Sequence, residues 1–430
     1  MNSTPIYIVD GARTPFLKAR GAPGPFSASD LAVQAGRALL LRQSFAPTEL
    51  DEVILGAAAP APDEVNIGRV VALRLGCGHK VPGWTVMRNC ASGMQAIDSA
   101  MANIRLGNAD LVLAGGVDAL SRAPLLFSER MVQWLAGFSR AKTTGQKLAS
   151  LMQFRIGYLA PVIGLLKGLT DPVVGLSMGQ TAENLAWKFS ISRRQQDEYA
   201  LRSHLRAANE GAAIHAKQIV ALVDTAGKTY PNDDGIRPDS SAEKLATLQP
   251  VFDRGDGSVT AGNSSQVTDG AAWLVLASER AVEARGLKPM GRILDSQWAG
   301  LDPALMGLGP VYAATPILQR HGLGLNDLDA WEINEAFAAQ VLGCAAAWAD
   351  ADFCREQLGL SAAMGRIDEA RLNVAGGAIA IGHPVGSSGA RIVLNLLRVL
   401  EAKGGKRGMA AICIGGGQGG AMLVERMGEP

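Results

Sequence analysis

The chain has 430 residues, with 41 Lys and Arg against 40 Asp and Glu, for a formal net charge of +1. That balance gives no electrostatic reason to expect nucleic acid as a partner. The 51 glycines and 48% hydrophobic residues argue against a disordered or fibrous protein and suit a glycine-rich α/β enzyme, and the length predicts two or three domains around a large core.

The stretch from Met1 to Ile8 lacks the basic and apolar regions of a secretory signal, and Ile6 to Val9 followed by Gly11 predicts a first strand. Export is therefore not expected. Next, Thr48-Glu49-Leu50-Asp51-Glu52-Val53-Ile54 combines a helix-capping residue type, an acidic position and Leu-Asp running into a strand. Cys90 follows in Met87-Arg88-Asn89-Cys90-Ala91-Ser92-Gly93-Met94-Gln95-Ala96-Ile97, between a strand-like run and a long helix-like segment. The positive N-terminal end of a helix favours thiolate, which makes Cys90 a candidate nucleophile. Its helix leads to a buried strand, Asp110 to Gly116.

From about Ser128 to Gly257 the character changes. Between Arg130 and Thr170 lie six basic residues (Arg130, Arg140, Lys142, Lys147, Arg155 and Lys167) and no acidic one. Leu148, Leu151, Met152, Ile156 and Leu159 fall at helical spacing and predict a basic amphipathic helix. Such a helix either packs on its own protein with solvated basic side chains, or presents a face to a membrane surface or a partner. Pro161, Lys167, Asp171 and Pro172 interrupt the most apolar stretch, so a membrane span is not expected.

The second half repeats the first. Asn326-Asp327-Leu328-Asp329-Ala330-Trp331-Glu332 echoes the segment at Thr48, and Gly386-Ser387-Ser388-Gly389 leads through Ile392 to Leu400 into Ala410 to Gly416 as Cys90 leads into Asp110 to Gly116. Loop, helix and buried strand in each half predict a duplicated α/β domain with its site where the halves meet. Gly376-Gly377-Ala378-Ile379-Ala380-Ile381-Gly382-His383-Pro384 supplies an imidazole, and Cys413-Ile414-Gly415-Gly416-Gly417-Gln418 supplies a second thiol. Two thiols and an imidazole, each beside flexible backbone, suggest covalent acyl chemistry. The five cysteines, Cys77, Cys90, Cys344, Cys354 and Cys413, are odd in number without metal-like CxxC spacing, which predicts a reducing cytoplasm and no metal site.

These three segments, together with Ser177 to Asn184, Val259 to Ser265 and Asn334-Glu335-Ala336-Phe337-Ala338, resemble in this order the thiolases, the family that makes or cleaves 3-ketoacyl-CoA thioesters. The resemblance spans nearly the whole chain and is strongest to the bacterial 3-ketoacyl-CoA thiolases of the trifunctional-complex β-subunit type. It implies a thiolase fold: two similar βαβαβαββ halves in an αβαβα layering, with the N-terminal half at 1–127 and 258–285, an inserted loop domain at 128–257 and the C-terminal half at 286–430.

The resemblance also implies roles. Cys90 is the acylated nucleophile, and His383 is the base that deprotonates it, with an imidazole titrating near working pH. Cys413 is the acid/base at C2 of acetyl-CoA. The backbone N–H groups of Cys90 and Gly415 form one oxyanion hole, and His383 with a water held by Asn334 forms the other. Ser265, Met178, Met306, Ala336 and Phe337 line the pantetheine channel. Ser177 and Gln266 depart from the short-chain biosynthetic pattern, where histidine and glycine are usual, and lean toward a degradative enzyme. The substrates implied are acyl-CoA and CoA, without metal or organic cofactor. The partners implied are a second copy (homodimer or dimer of dimers) and a hydratase/dehydrogenase subunit or a membrane surface met through 130–170, placing the protein in the cytoplasm or at the membrane periphery. The rival readings are a biosynthetic acetyl-CoA acetyltransferase, a CoA-ester- or lipid-binding relative without chemistry, and a decarboxylating ketosynthase, which shows two histidines where this chain has Asn334 and His383.

Overall fold

The computed structural model describes residues 5–428. In the N-terminal half, strand β1 (Ile6–Arg13) is followed by helix α1 (Ala28–Leu41), β2 (Glu52–Gly56), β3 (Gly83–Val86), helix α2 (Ser92–Arg105) and β4 (Leu111–Ala119). An insertion carries helices α3 (Glu129–Arg140), α4 (Thr144–Met152) and α5 (Met178–Lys188), after which β5 (Thr268–Ser278) returns to the first sheet. The C-terminal half runs β6 (Gly291–Gly300), α6 (Gly309–His321), β7 (Ala330–Ile333), α7 (Val385–Lys403), β8 (Arg407–Ile414) and β9 (Gln418–Arg426).

The strand order is β7-β8-β9-β6-β1-β5-β4-β2-β3. The path is one continuous sheet whose two halves are joined, among the described residues, through three residue pairs, Ile6 to Ile8 of β1 against Gly291 to Ile293 of β6. The duplication expected from sequence holds in detail. β2 pairs in parallel with β4 as β7 does with β8, and β4 pairs antiparallel with β5 as β8 does with β9. β1 and β6 each carry a register shift at the same place, between Ile8 and Asp10 and between Ile293 and Asp295. The counterpart of β3 in the second half is reduced to a single parallel bridge, Trp331 to Leu372.

Period-2 alternation sorts side chains between layers. Val112 and Ala114 of β4 face the same core as Ile97 and Met101 of α2 and Ile392 and Leu396 of α7, whereas Leu111 and Leu113 face α1 on the outside. In the second half Ile412 points to that central core and Met409 and Ala411 to α6. Strands buried on both faces are why these segments are continuously apolar in sequence.

The two central helices meet backbone to backbone. A Cβ on Gly93 would lie 2.9 Å from Gly386 O, and one on Gly389 would lie 2.5 Å from Met94 N. A Cβ on Gly116 would collide with Gly386 O. Only glycine permits this approach.

Within the insertion, the helix predicted across Leu148 to Leu159 ends at Met152. Arg155 is extended (φ −120°, ψ 132°) and Ile156–Leu159 forms a separate 3-10 turn. Tertiary packing overrides the periodicity here. After the break at Met152, Phe154 packs against Trp134 (ring centroids 4.9 Å apart), and the Trp134 indole N–H donates to Ser150 O at 2.9 Å near the end of α4.

Candidate active site

Cys90 lies in a 3-10 turn, Asn89–Ala91, between β3 and α2. Asn89 adopts φ +43°, a left-handed conformation that asparagine tolerates better than most residues. Side chains brace the turn. Ser92 Oγ accepts from Arg88 N and donates to Asn89 O, both at 2.8 Å, and Asn89 Nδ2 donates to Gly415 O at 2.8 Å, tying the Cys90 turn to the last glycine cluster.

His383 follows a four-residue helical turn, Ala378–Ile381, and Gly382 at φ +104°, where a side chain would strike Thr268. Its backbone N–H donates to Gln266 O at 3.0 Å, and the Gln266 Nε2 donates to the carbonyls of Gly235, Ile379 and Ala380. Gln266 therefore holds the histidine loop in place. The ring Nδ1 lies 2.6 Å from Ser388 Oγ, which is also 3.1 Å from Pro384 O. A carbonyl only accepts, so the hydroxyl donates to Pro384 and accepts from Nδ1–H. That assignment leaves the lone pair on Nε2, which is buried without a partner among the described residues, free to take a proton.

Asn334 follows the end of β7 and is fully buried. Its Oδ1 accepts from Arg391 Nη2 at 3.0 Å, and its Nδ2 has no partner among the described residues. A buried donor left unpaired costs about 1–3 kcal/mol, which marks it as a group kept for a ligand or water. Cys413 stands at the end of β8, ahead of a turn in which Gly416 and Gly417 have φ +92° and +73°.

Two cavities meet at Cys90. One, of about 410 Å³, is lined by Cys90, His383 and Cys413 and by all five residues expected to line the pantetheine channel, Ser265, Met178, Met306, Ala336 and Phe337. The other, of about 570 Å³, runs from Cys90, Asn89 and Gly415 along Leu120, Leu126, Leu165 and Leu169, the last three from the insertion or its edge. Asn334 lines neither cavity. Ser177 borders the first, but its Oγ caps α5 by accepting from Gln180 N.

Protonation departs from the sequence-based expectation in two places. Burial pushes the Cys90 thiol up to about 11, outweighing the Gly415 backbone N–H that pulls it down, so the resting sulfur is a thiol and not the thiolate expected at a helix start. Burial also lowers His383 to about 3, helped by the Arg391 charge, so the imidazole is neutral far below working pH. Cys413 is held well above its ordinary value by burial, with the Cys90 and Cys344 sulfurs adding to the effect.

The Thiolase, N-terminal domain model matches residues 6–280 and the Thiolase, C-terminal domain model matches residues 287–426. The chain belongs to the thiolase family. A 3-ketoacyl-CoA thiolase of Yersinia enterocolitica is 37% identical to this thiolase over 423 residues, 98% of this chain and 96% of the relative. The mitochondrial trifunctional enzyme subunit beta of Mus musculus is 36% identical over 425 residues, 99% of this chain and 89% of the relative. Among solved structures, a Bacillus anthracis acetyl-CoA acetyltransferase superposes with a TM-score of 0.85 at 36% identity, covering 99% of both chains.

Several residues of the thiolase site were not assigned from sequence: Asn89, Ser92, Asp118, Ser388 and Arg391. Asp118, fully buried at the end of β4, accepts from the backbone N–H groups of Ala58, Ala59 and Gly386, pinning the start of α7 to the N-terminal half. The available signal was polar spacing. Ser388, Arg391 and Asn395 recur at helical intervals within an otherwise apolar stretch.

Proposed function

We propose that this thiolase is an acyl-CoA:acetyl-CoA C-acyltransferase that cleaves 3-ketoacyl-CoA, and that its acyl group occupies the larger cavity. The observation that carries the reading is Cys90 at the junction of a channel containing His383 and Cys413 and a second, largely apolar cavity of about 570 Å³. His383 Nε2 takes the proton of Cys90 as the sulfur attacks C3 of the substrate. The C2–C3 bond breaks, and Cys413 protonates C2 of the departing acetyl-CoA. CoA then returns a proton to Cys413 and its sulfur attacks the Cys90 thioester, while His383 reprotonates Cys90 as acyl-CoA leaves. The resting state suits these steps, because both thiols hold their protons and the imidazole is free. The chemistry asks for no cofactor beyond CoA as substrate. Thiols that must stay reduced support a cytoplasmic location.

An acetyl group would leave most of the larger cavity to water. Each buried methylene contributes about 0.8 kcal/mol, about fourfold in kcat/KM. Thiolysis measured from acetoacetyl-CoA to long-chain 3-ketoacyl-CoA should show kcat/KM rising with chain length until the cavity is filled. A maximum at acetoacetyl-CoA would instead support the biosynthetic reading, and no thiolysis of any substrate would support a binding protein.

A second proposal concerns the insertion. Leu148, Leu151, Met152, Ile156 and Leu159 are all more than half exposed, in a stretch with six cations and no anion. We assign this face to an anionic membrane surface, toward which each cation contributes about 1 kcal/mol. No helix among the described residues is long and apolar enough to cross a membrane, so contact would be peripheral. The protein should cosediment with anionic vesicles at low salt, and Arg140→Glu, Lys142→Glu and Lys147→Glu together should abolish it. Equal binding to neutral vesicles, or none, would return this face to a protein partner such as a hydratase/dehydrogenase subunit. Among the described residues β3 ends the sheet with one edge unpaired and Met87 exposed beside it, which supports pairing with a second copy there.

A further inference from the structure

One face of α7 carries Ser388, Arg391 and Asn395. Ser388 orients His383, and the other two reach across to β7. Arg391 is 1% exposed. Its Nη1 donates to Glu332 Oε2 at 3.2 Å and its Nη2 to Asn334 Oδ1 at 3.0 Å. Asn395 Nδ2 donates to the other Glu332 oxygen at 2.7 Å, and Gln218 Nε2 donates to Asn395 Oδ1 at 2.7 Å. Glu332 thereby holds the guanidinium, and the guanidinium holds the amide.

An amide can point either way in a pocket that does not discriminate its oxygen from its nitrogen. A guanidinium has five donors and no acceptor, so beside Arg391 only one sense of the Asn334 amide is allowed. The oxygen faces Arg391, and the unpartnered Nδ2 is committed elsewhere. Asn334 N donates to Ala411 O, two residues before Cys413, and Ala336, two residues on, lines the channel. We propose that Arg391 is a positioning residue for the thiolase reaction: it fixes the sense of the Asn334 amide so that its N–H groups serve the acetyl-CoA side of the site. The inference rests on the proposed acyltransferase reading, and it predicts a defect much larger in the acetyl-CoA half of the chemistry than in the acylation of Cys90.

The test compares Arg391→Met, Arg391→Lys, Asn334→Ala and the double variant Arg391→Met/Asn334→Ala in the full chain. Two reactions are followed: exchange of the C2 protons of acetyl-CoA in deuterated water, and acylation of Cys90 by acyl-CoA without acceptor, by mass spectrometry. Loss of one oxyanion donor costs about 10²–10³-fold. Arg391→Met should therefore slow C2 exchange at least about tenfold more than it changes Cys90 acylation, which feels the variant only through the Arg391 charge near His383. Arg391→Lys should restore most of the exchange, and Arg391→Met should cost nothing more once Asn334 is alanine. Where Arg391→Met alone is too unstable, Arg391→Met/Glu332→Gln strands no buried charge and carries the same comparison. Equal slowing of exchange and acylation, or an undiminished further loss in the Asn334→Ala background, overturns the proposal. A wild-type protein that shows neither exchange nor acylation refutes the acyltransferase reading itself.

Discussion

At Cys90 two effects of opposite sign compete, and their sizes decide the outcome. The field of a helix N-terminus contributes about 0.3–1 kcal/mol, less than one pKa unit. Burial acts the other way and more strongly, leaving the thiol at about 11. Alkylation of Cys90 by iodoacetamide should therefore accelerate about tenfold per pH unit from neutrality to about pH 10, because each unit increases the thiolate tenfold. A rate already level at neutral pH would show a thiolate paired with an imidazolium and would refute the neutral resting state. Sequence pointed to Cys90, His383 and Cys413, which line one cavity, because each lies in a glycine-rich segment of recognisable pattern. Ser388 and Arg391 were not, because what they do depends on His383 and Asn334 being folded against the same helix face, a contact between α7 and β7 that spacing along one chain does not reveal. The titration of the pair was illegible for a related reason, since burial is a property of the packed site.

Among the elements, the echo between Thr48 to Ile54 and Asn326 to Glu332 proves to be a structural repeat. Asp51 Oδ2 accepts from the backbone N–H groups of Asp110 and Leu111 at 2.7 and 2.9 Å, and Asp329 Oδ2 accepts from those of Lys406 and Arg407 at 2.7 and 2.9 Å. Each aspartate closes the entry to the strand that follows its central helix. Asp51→Ala and Asp329→Ala should each destabilise the fold by about 1 kcal/mol, as lost caps do at exposed sites. In separate halves the two losses should add within about 0.5 kcal/mol in urea unfolding. A loss from one position alone would show that the repeat is geometric but not energetic. Strands and central helices were readable because continuous apolar runs and glycine-rich starts mark them. The insertion was less so: its periodicity continues to Leu159, but the helix ends at Met152 and Phe154 beyond it packs on Trp134, 20 residues away in sequence.

Across the whole molecule, buried groups set how the fold answers acid. Burial lowers His204 and His215 to about 4 and His383 to about 3, and raises Asp118 to about 6 and Glu332 to about 7. Below the ordinary histidine value, near 6.5, the unfolded chain takes up protons that these three imidazoles refuse in the fold, so stability falls as pH falls through that window. Asp118 and Glu332 oppose it, because near pH 5.5 the fold holds protons there that the unfolded chain releases. Three imidazoles against two carboxyls leave a net uptake of about one proton on unfolding near pH 5.5, a slope of about 1.4 kcal/mol per pH unit. Unfolding free energies measured across pH 5 to 6 test this, and a slope near three protons would mean that both carboxyls are ionised in the fold. The glycine contact between α2 and α7 has its own consequence for inherited variation. Every replacement encoded at Gly93 or Gly389 adds at least one carbon to an interface that has no space for it. Inactivating changes should therefore recur at codons whose products never touch substrate, where what fails is the spacing that keeps Cys90 and His383, the gifts of two different halves, within reach of one molecule.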